Sequence, residues 1–318
     1  DEIIMSTRKT IPTPAQPSKP SPDNLSPLKA IEPPNPNPNQ PTPQGTPPLK
    51  ELVKQYDSVS LLLQGGGALG AYQAGIYEGL HKQGIKIDRI SGISIGALNT
   101  AIIAGNRPEN RLAALQGFWN TITHRNYTPA GMNVYRQTAN ELDKLSKIDM
   151  VSHFMPWIFE NGFLKQQLRV MESTAEAWQT MIEGQRGFFK PRYFVPYDTT
   201  PNHLSYYTTD KLRETLERYC DLKLVNDVNR MKVSVSAVNV RNGNFAIFSN
   251  ENEELHYDHF IASGALPPGF PAVEIDGEYY WDGGLVSNTP LNEILSHEEQ
   301  LKQLIFQVDL WNAKGTVP

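Results

Sequence analysis

The sequence predicts an α/β fold built on a mostly parallel sheet, and two successive strand-turn-helix units predict it. Val59-Ser60-Leu61-Leu62-Leu63-Gln64 is a nearly continuous apolar run of strand length that ends in Gly65-Gly66-Gly67-Ala68-Leu69-Gly70, after which Leu69, Tyr72, Ile76 and Leu80 recur at helical spacing before a stop at Gly84. The second unit repeats this order. Ile85 to Ile90 alternates as a strand, Gly92-Ile93-Ser94-Ile95-Gly96 interrupts it, and Ala97 to Ala104 reads as a helix closed by Gly105. Consecutive units of this kind join parallel strands by right-handed crossovers.

Ahead of the first strand, residues 1–50 hold 14 of the chain's 25 prolines and no Phe, Trp, Tyr or Cys. That composition cannot bury a core, so 1–50 is expected to be a disordered Pro-rich tail and 51–318 a single domain. Beyond the second unit, Leu112, Leu115 and Phe118 share a helical face. Segments 135–150 and 164–184 also have helical spacing, and about 125–210 is read as a helical insertion or lid. Within it, 152–163 concentrates Phe154, Trp157, Phe159 and Phe163, a pattern that suits either ordinary core or a patch that meets lipid. Thr209 opens a helix carrying Leu212, Leu216 and Tyr219. Met231 to Val238 alternates as a strand, and Asn242-Gly243 turns it into Phe245 to Phe248. Asp258 to Ala265 reads as a helix stopped by Leu266-Pro267-Pro268-Gly269, and Asp276-Gly277 joins Val273 to Ile275 with Glu278 to Trp281. A helix is expected near Asn288-Thr289-Pro290 and a last strand at Leu304 to Val308. The sequence stops soon after, which allows for a truncated C-terminus.

Charge and composition narrow the partners. The chain of 318 residues has net charge -5 from 29 basic and 34 acidic residues, with no Lys or Arg run, so nucleic acid is not an expected partner. Its one cysteine, Cys220, rules out an internal disulfide, fits a reducing compartment and reads as packing. No apolar run reaches about 18 residues, so no membrane-spanning helix is expected. The expected location is cytoplasmic, with peripheral membrane contact resting on the aromatic cluster at 154–163.

The chemistry centres on Ser94. A strand turning at once into a helix thrusts its central residue outward and leaves no room for side chains on either flank, which suits glycines at 92 and 96. The helix N-terminus that follows turns free N–H groups and a positive dipole end toward any oxyanion formed there. Gly65, Gly66 and Gly67, between a strand and a helix, offer further backbone donors. The same loop matches a dinucleotide-binding glycine pattern through Gly65, Gly67 and Gly70, with Asp88 near the position of a ribose-binding acid. That pattern needs the acid to end the second strand, yet the apolar run continues past Asp88 to Ser94. Of seven histidines only His297 follows Asp282, and its Ser-His-Glu-Glu setting reads as a solvated helix face. Asp282 leaves the Tyr279-Tyr280-Trp281 strand into two glycines, which suits a turn-forming residue or a carboxylate delivered to a site.

Taken together, Gly-Gly-Gly-Ala-Leu-Gly at 65–70, Gly-Ile-Ser-Ile-Gly at 92–96 and Asp-Gly-Gly at 282–284 resemble the patatin-like phospholipase family, as does the approach from Ala262 to Pro267 and Phe270-Pro271. The resemblance covers about 58–310. It implies a three-layer α/β/α fold and a serine acyl hydrolase acting on phospholipids or neutral acyl esters, with no cofactor and no metal. Ser94 is then the nucleophile, Asp282 the base in a dyad without histidine, and Gly65, Gly66 and Gly67 the oxyanion loop. The family's glycine motif usually carries Arg or Lys where this chain has Leu69, which weakens the case for a charged phospholipid relative to a neutral ester. The alternative is a lipid-binding or regulatory protein that uses the same pocket with little turnover. An ordinary Asp, with a pKa of about 3.9, is a weak base for a serine hydroxyl, so burial beside Tyr280 and Trp281 is expected to raise Asp282.

Overall fold

A computed structural model describes residues 48–123, 180, 183–193, 200–289, 291 and 302–311. Contacts divide the chain into Asp1–Thr46 and Pro47–Pro318, and every described residue belongs to the second unit. Residues 1–47 of the expected Pro-rich tail, the aromatic cluster at 154–163 and His297 lie outside the described residues, as does most of the expected helical insertion.

The strands are β1 (Ser58–Leu63), β2 (Arg89–Gly92), β3 (Lys190–Pro191), β4 (Tyr207–Thr208), β5 (Lys232–Asn239), β6 (Phe245–Ser249), β7 (Val273–Ile275), β8 (Glu278–Asp282) and β9 (Gln303–Val308). The helices are α1 (Leu49–Val53), α2 (Ala71–Lys82), α3 (Ile95–Ala104), α4 (Arg111–Thr123), α5 (Asp210–Tyr219), α6 (Leu222–Val225) and α7 (Tyr257–Ser263). Four of the seven strands in the main sheet, in the order β9, β1, β2, β5, run parallel. Strands β6, β7 and β8 add an antiparallel margin. This is the expected α/β class, a mostly parallel central sheet with flanking helices. The described end of the 125–210 segment differs from a purely helical insertion, because β3 and β4 pair there as a short antiparallel ribbon.

Burial explains the element choices. Leu61, Leu62 and Leu63 are fully buried although successive strand residues face opposite ways, the signature of a strand covered on both faces. All ten residues of α3 are buried, and it packs against α4, α5 and α7. Its carbonyl end is closed by Arg230, whose guanidinium donates to the carbonyls of Ala104 and Asn106, a favourable place for a cation. Helix α2 does not bury the face that its apolar spacing suggests. Gln73, Tyr77 and Leu80 turn inward while Tyr72 stays 60% exposed. The cause is polar: Gln73 donates to the Gln64 carbonyl and accepts from Asn99, which also reaches the Gly70 carbonyl.

The decisive feature of the topology is the single edge of β5 shared by two strands. Residues Ser234 to Val238 pair with β6 on one edge, so both other partners must use the opposite one. There β2 runs up to Gly92 opposite Val235, and β8 arrives from the other direction with Asp282 opposite Ala237. The two strands meet nearly end to end, which brings the turn after β2 against the carboxylate that ends β8.

Candidate active site

Ser94 sits between β2 and α3 with φ 55 and ψ -125, a left-handed conformation that a residue with a side chain rarely adopts. A Cβ at Gly92 would overlap the Gly96 carbonyl, and one at Gly96 would overlap the carbonyl of Leu63 at the end of β1. Both glycines are therefore needed for the turn to pass this close to its own helix and to the neighbouring strand. The Ser94 N–H donates to Ser263 Oγ at 3.0 Å, and that serine is wholly buried at the end of α7. Three elements thus fix one residue.

The Ser94 side chain stands close enough to the Asp282 carboxylate to pull its pKa down, and Oδ1 of that carboxylate accepts from the Gly284 N–H at 2.7 Å. Asp282 is 3% exposed, and its backbone N–H is held by the Ala265 carbonyl at 3.0 Å. Burial pushes its carboxyl up to about 6, against the opposing pull of Ser94 and Gly284. Among the described residues no histidine bonds either group. His259 is spent on a helix cap, accepting from the His256 N–H at 2.8 Å, and the ring of His203 pairs with Thr200.

The glycine loop completes the arrangement. Gly65 approaches so closely that a Cβ would collide with the Asn288 side chain and touch the Ser94 Cβ. Its carbonyl accepts from Asn288 Nδ2 at 3.0 Å and from Trp311 Nε1 at 3.1 Å, and its N–H is directed to the Asn288 carbonyl at 3.4 Å. The N–H groups of Gly66 and Gly67 have no partner among the described residues, which leaves them available to a ligand. Behind the loop, Gln64 Oε1 accepts from the N–H groups of Leu310 and Trp311, tying β1 to the segment after β9.

The expected residues Ser94, Asp282 and Gly65 to Gly67 therefore converge. Asp88 does not join them. It precedes β2, accepts from the Val59 N–H at 3.1 Å and pairs with Lys86, at the sheet end opposite the glycine loop, so the dinucleotide pattern has no ribose-binding acid. Ser263 and Asn288 were not singled out by sequence. Ser263 lies in the segment whose resemblance was noted, but a serine that accepts from another serine's backbone leaves no spacing signal. Cys220 is buried and its thiol is pushed up to about 12, in keeping with packing. Among the described residues no three His, Cys, Asp or Glu side chains gather to hold a metal, and no helix is long and apolar enough to cross a membrane.

A 47-residue stretch is 53% identical to lysophospholipase nte1 of Aspergillus terreus, and a 51-residue stretch is 43% identical to neuropathy target esterase sws of Drosophila persimilis. These matches span 15% and 16% of this chain but only 3% and 4% of those much longer proteins. Among solved structures, VipD from Legionella pneumophila aligns with 79% of this chain and 49% of its own at 18% identity and a TM-score of 0.37. ExoU from Pseudomonas aeruginosa, solved with SpcU, aligns with 67% and 39% at 15% identity and a TM-score of 0.24. The model of the patatin-like phospholipase family matches residues 61–295, well over half of the sequence, from within β1 to beyond Asp282. The chain belongs to the patatin-like phospholipase family.

Proposed function

We propose that the chain is a serine acyl hydrolase that cleaves carboxylic esters of lipids through a Ser94-Asp282 dyad. One observation carries the reading: a serine in a strained turn stands beside a buried carboxylate whose pKa is raised to about 6. At neutral pH such a group is mostly ionised, yet basic enough to accept the serine proton as the hydroxyl attacks. Attack on the ester carbonyl forms a bond from Ser94 Oγ to carbon and moves an electron pair onto the carbonyl oxygen. The free N–H groups of Gly66 and Gly67, with the N-terminus of α3, face that developing charge. Asp282 then returns the proton to the departing alcohol, and water, activated by the same carboxylate, releases the acid from Ser94.

Several features favour a lipid. Leu69 on the glycine loop, Leu266 beside the Asp282 anchor, Leu285 and Val286 just past Asp282, and Trp311 at Gly65 are all about half exposed, 47% to 59%. They give the segments that build the site an apolar exterior suited to acyl chains and to contact with a lipid surface. Leu69 supplies no charge to a headgroup, so a neutral ester is the preferred substrate. An ester panel with the wild type and Ser94→Ala tests the proposal. Hydrolysis of neutral acyl esters exceeding that of anionic phospholipids, and lost in Ser94→Ala, is expected. Turnover that survives Ser94→Ala would refute it.

A further inference from the structure

A second concave site lies on the helical side of the fold, built by α4, α5 and the turn at 184–190 and sharing no residue with the Ser94 site. It forms an open hollow of about 750 Å³. Its charged lining is four cations, Arg186, Lys190, Lys211 and Arg218, against one carboxylate, Glu214, so the cavity carries a formal charge of +3 in a chain whose net charge is -5. Lys211 is paired with Glu214 at 2.5 Å. Among the described residues Arg186, Lys190 and Arg218 have no acidic partner. The Glu214 carboxyl is held below its usual range by the hydrogen bond from Lys211, and Lys190 and Arg218 act in the same direction, so these cations share one small space.

The walls are fixed. Helices α4 and α5 approach closely enough that a Cβ at Gly117 would press into the Tyr219 ring, and Tyr219 Oη shares a 2.8 Å hydrogen bond with Thr121 Oγ1. The turn is anchored where Thr215 Oγ1 donates to the Gly187 carbonyl at 2.6 Å. There Gly187 has φ 74, and a Cβ would lie 2.8 Å from Thr121. A solvated run of lysines on one helix face needs no such cradle. Here two separate segments, the turn and α5, hold their cations around a hollow that α4 completes.

We propose that this cavity binds a phosphate-bearing ligand through Arg186, Lys190 and Arg218. A phosphomonoester brings nearly two negative charges and three acceptor oxygens in one compact group, enough to serve two guanidinium forks and an ammonium together. A single carboxylate would leave most of that capacity unused. The phosphate can belong to a soluble molecule or to a lipid headgroup.

Calorimetry with inositol hexakisphosphate on the full chain tests the first source, and co-sedimentation with phosphatidylcholine vesicles, with and without phosphatidylinositol 4,5-bisphosphate, tests the second. The expected result is binding in at least one arm, weakened by about tenfold or more in Lys190→Gln/Arg218→Gln and falling with added salt. Ser94→Ala and the remote pair Lys54→Gln/Lys86→Gln are expected to bind as the wild type does. Arg186→Gln, in the turn, gives a second reading should the double variant fail to fold. Binding to vesicles alone assigns a headgroup, and binding of the soluble probe assigns the phosphate group itself. Silence in both arms, equal binding by the cavity variants, equal weakening in the remote pair, or equal affinity for citrate overturns the proposal.

Discussion

The two ends of the parallel sheet treat a carboxylate drawn out of full solvent in opposite ways. At the end where β2 and β5 begin, Glu251 accepts from Arg89 at 2.6 Å and lies 2.9 Å from Lys232. Burial alone would raise its carboxyl, but the two cations outweigh it and the pKa is lowered. At the end where β2 stops, Asp282 is more deeply buried, bonds only neutral donors and is pushed up to about 6. The first carboxylate is locked in its charged form and holds strands together. The second is left able to take and return a proton, and the fold tolerates the cost of that freedom.

The sharpest way to break this contrast is to neutralise the structural carboxylate. Glu251→Gln removes the negative charge that Arg89 and Lys232 share and is expected to lower stability by about 1 to 2 kcal/mol in urea denaturation. Activity per folded molecule and its pH profile should stay unchanged. A shifted pH profile would show that the two ends are not separate.

Asp282→Asn has the opposite sign. Because the folded pKa lies above the unfolded one, ionising Asp282 costs stability as pH rises from about 4 to about 6, and the amide escapes that cost. The variant should be more stable than wild type by about 2 to 3 kcal/mol at pH 7, with the difference fading below about pH 4, while turnover is lost. Melting curves across this range check it, and a variant that is less stable at pH 7 would mean that the carboxylate is held mainly for structure.

A smaller effect belongs to Ser263. Removing its hydroxyl in Ser263→Ala leaves the Ser94 N–H unpaired in a buried place and loosens the strained turn. A fall of about tenfold in kcat, corresponding to about 1.4 kcal/mol, is expected with KM little changed. An equal rise in KM with kcat intact would assign Ser263 to substrate binding instead.

Much of the fold was legible because local chemistry and tertiary structure agree. Asp276-Gly277 and Asn242-Gly243 announce tight turns, and Asp276, Gly277 and Gly243 adopt φ of 51, 80 and 70 as those turns require. Where they compete, the reading shifts. The second strand begins at Arg89 rather than Ile85, because Asp88 is used to hold the Val59 N–H and pairing with β1 and β5 sets the register. The buried face of α2 was hidden by Gln73, a polar residue drawn inward by Asn99 and the Gln64 carbonyl. Ser94, Asp282 and the glycine loop were legible from motif residues that a close backbone approach demands. What joins them was not. The shared edge of β5, the Ser263 hydroxyl and the Asn288 clasp on Gly65 are relations between distant segments, and no local pattern encodes them.

The dyad itself is tested most directly by the rate at which a fluorophosphonate labels Ser94, followed by mass spectrometry as a function of pH. The expected result is a single adduct on Ser94, with a rate that climbs about tenfold per pH unit below the Asp282 pKa and levels off above it, a midpoint near 6, and almost no labelling in Asp282→Asn. Undiminished labelling of Asp282→Asn, or an adduct on a different residue, would contradict it.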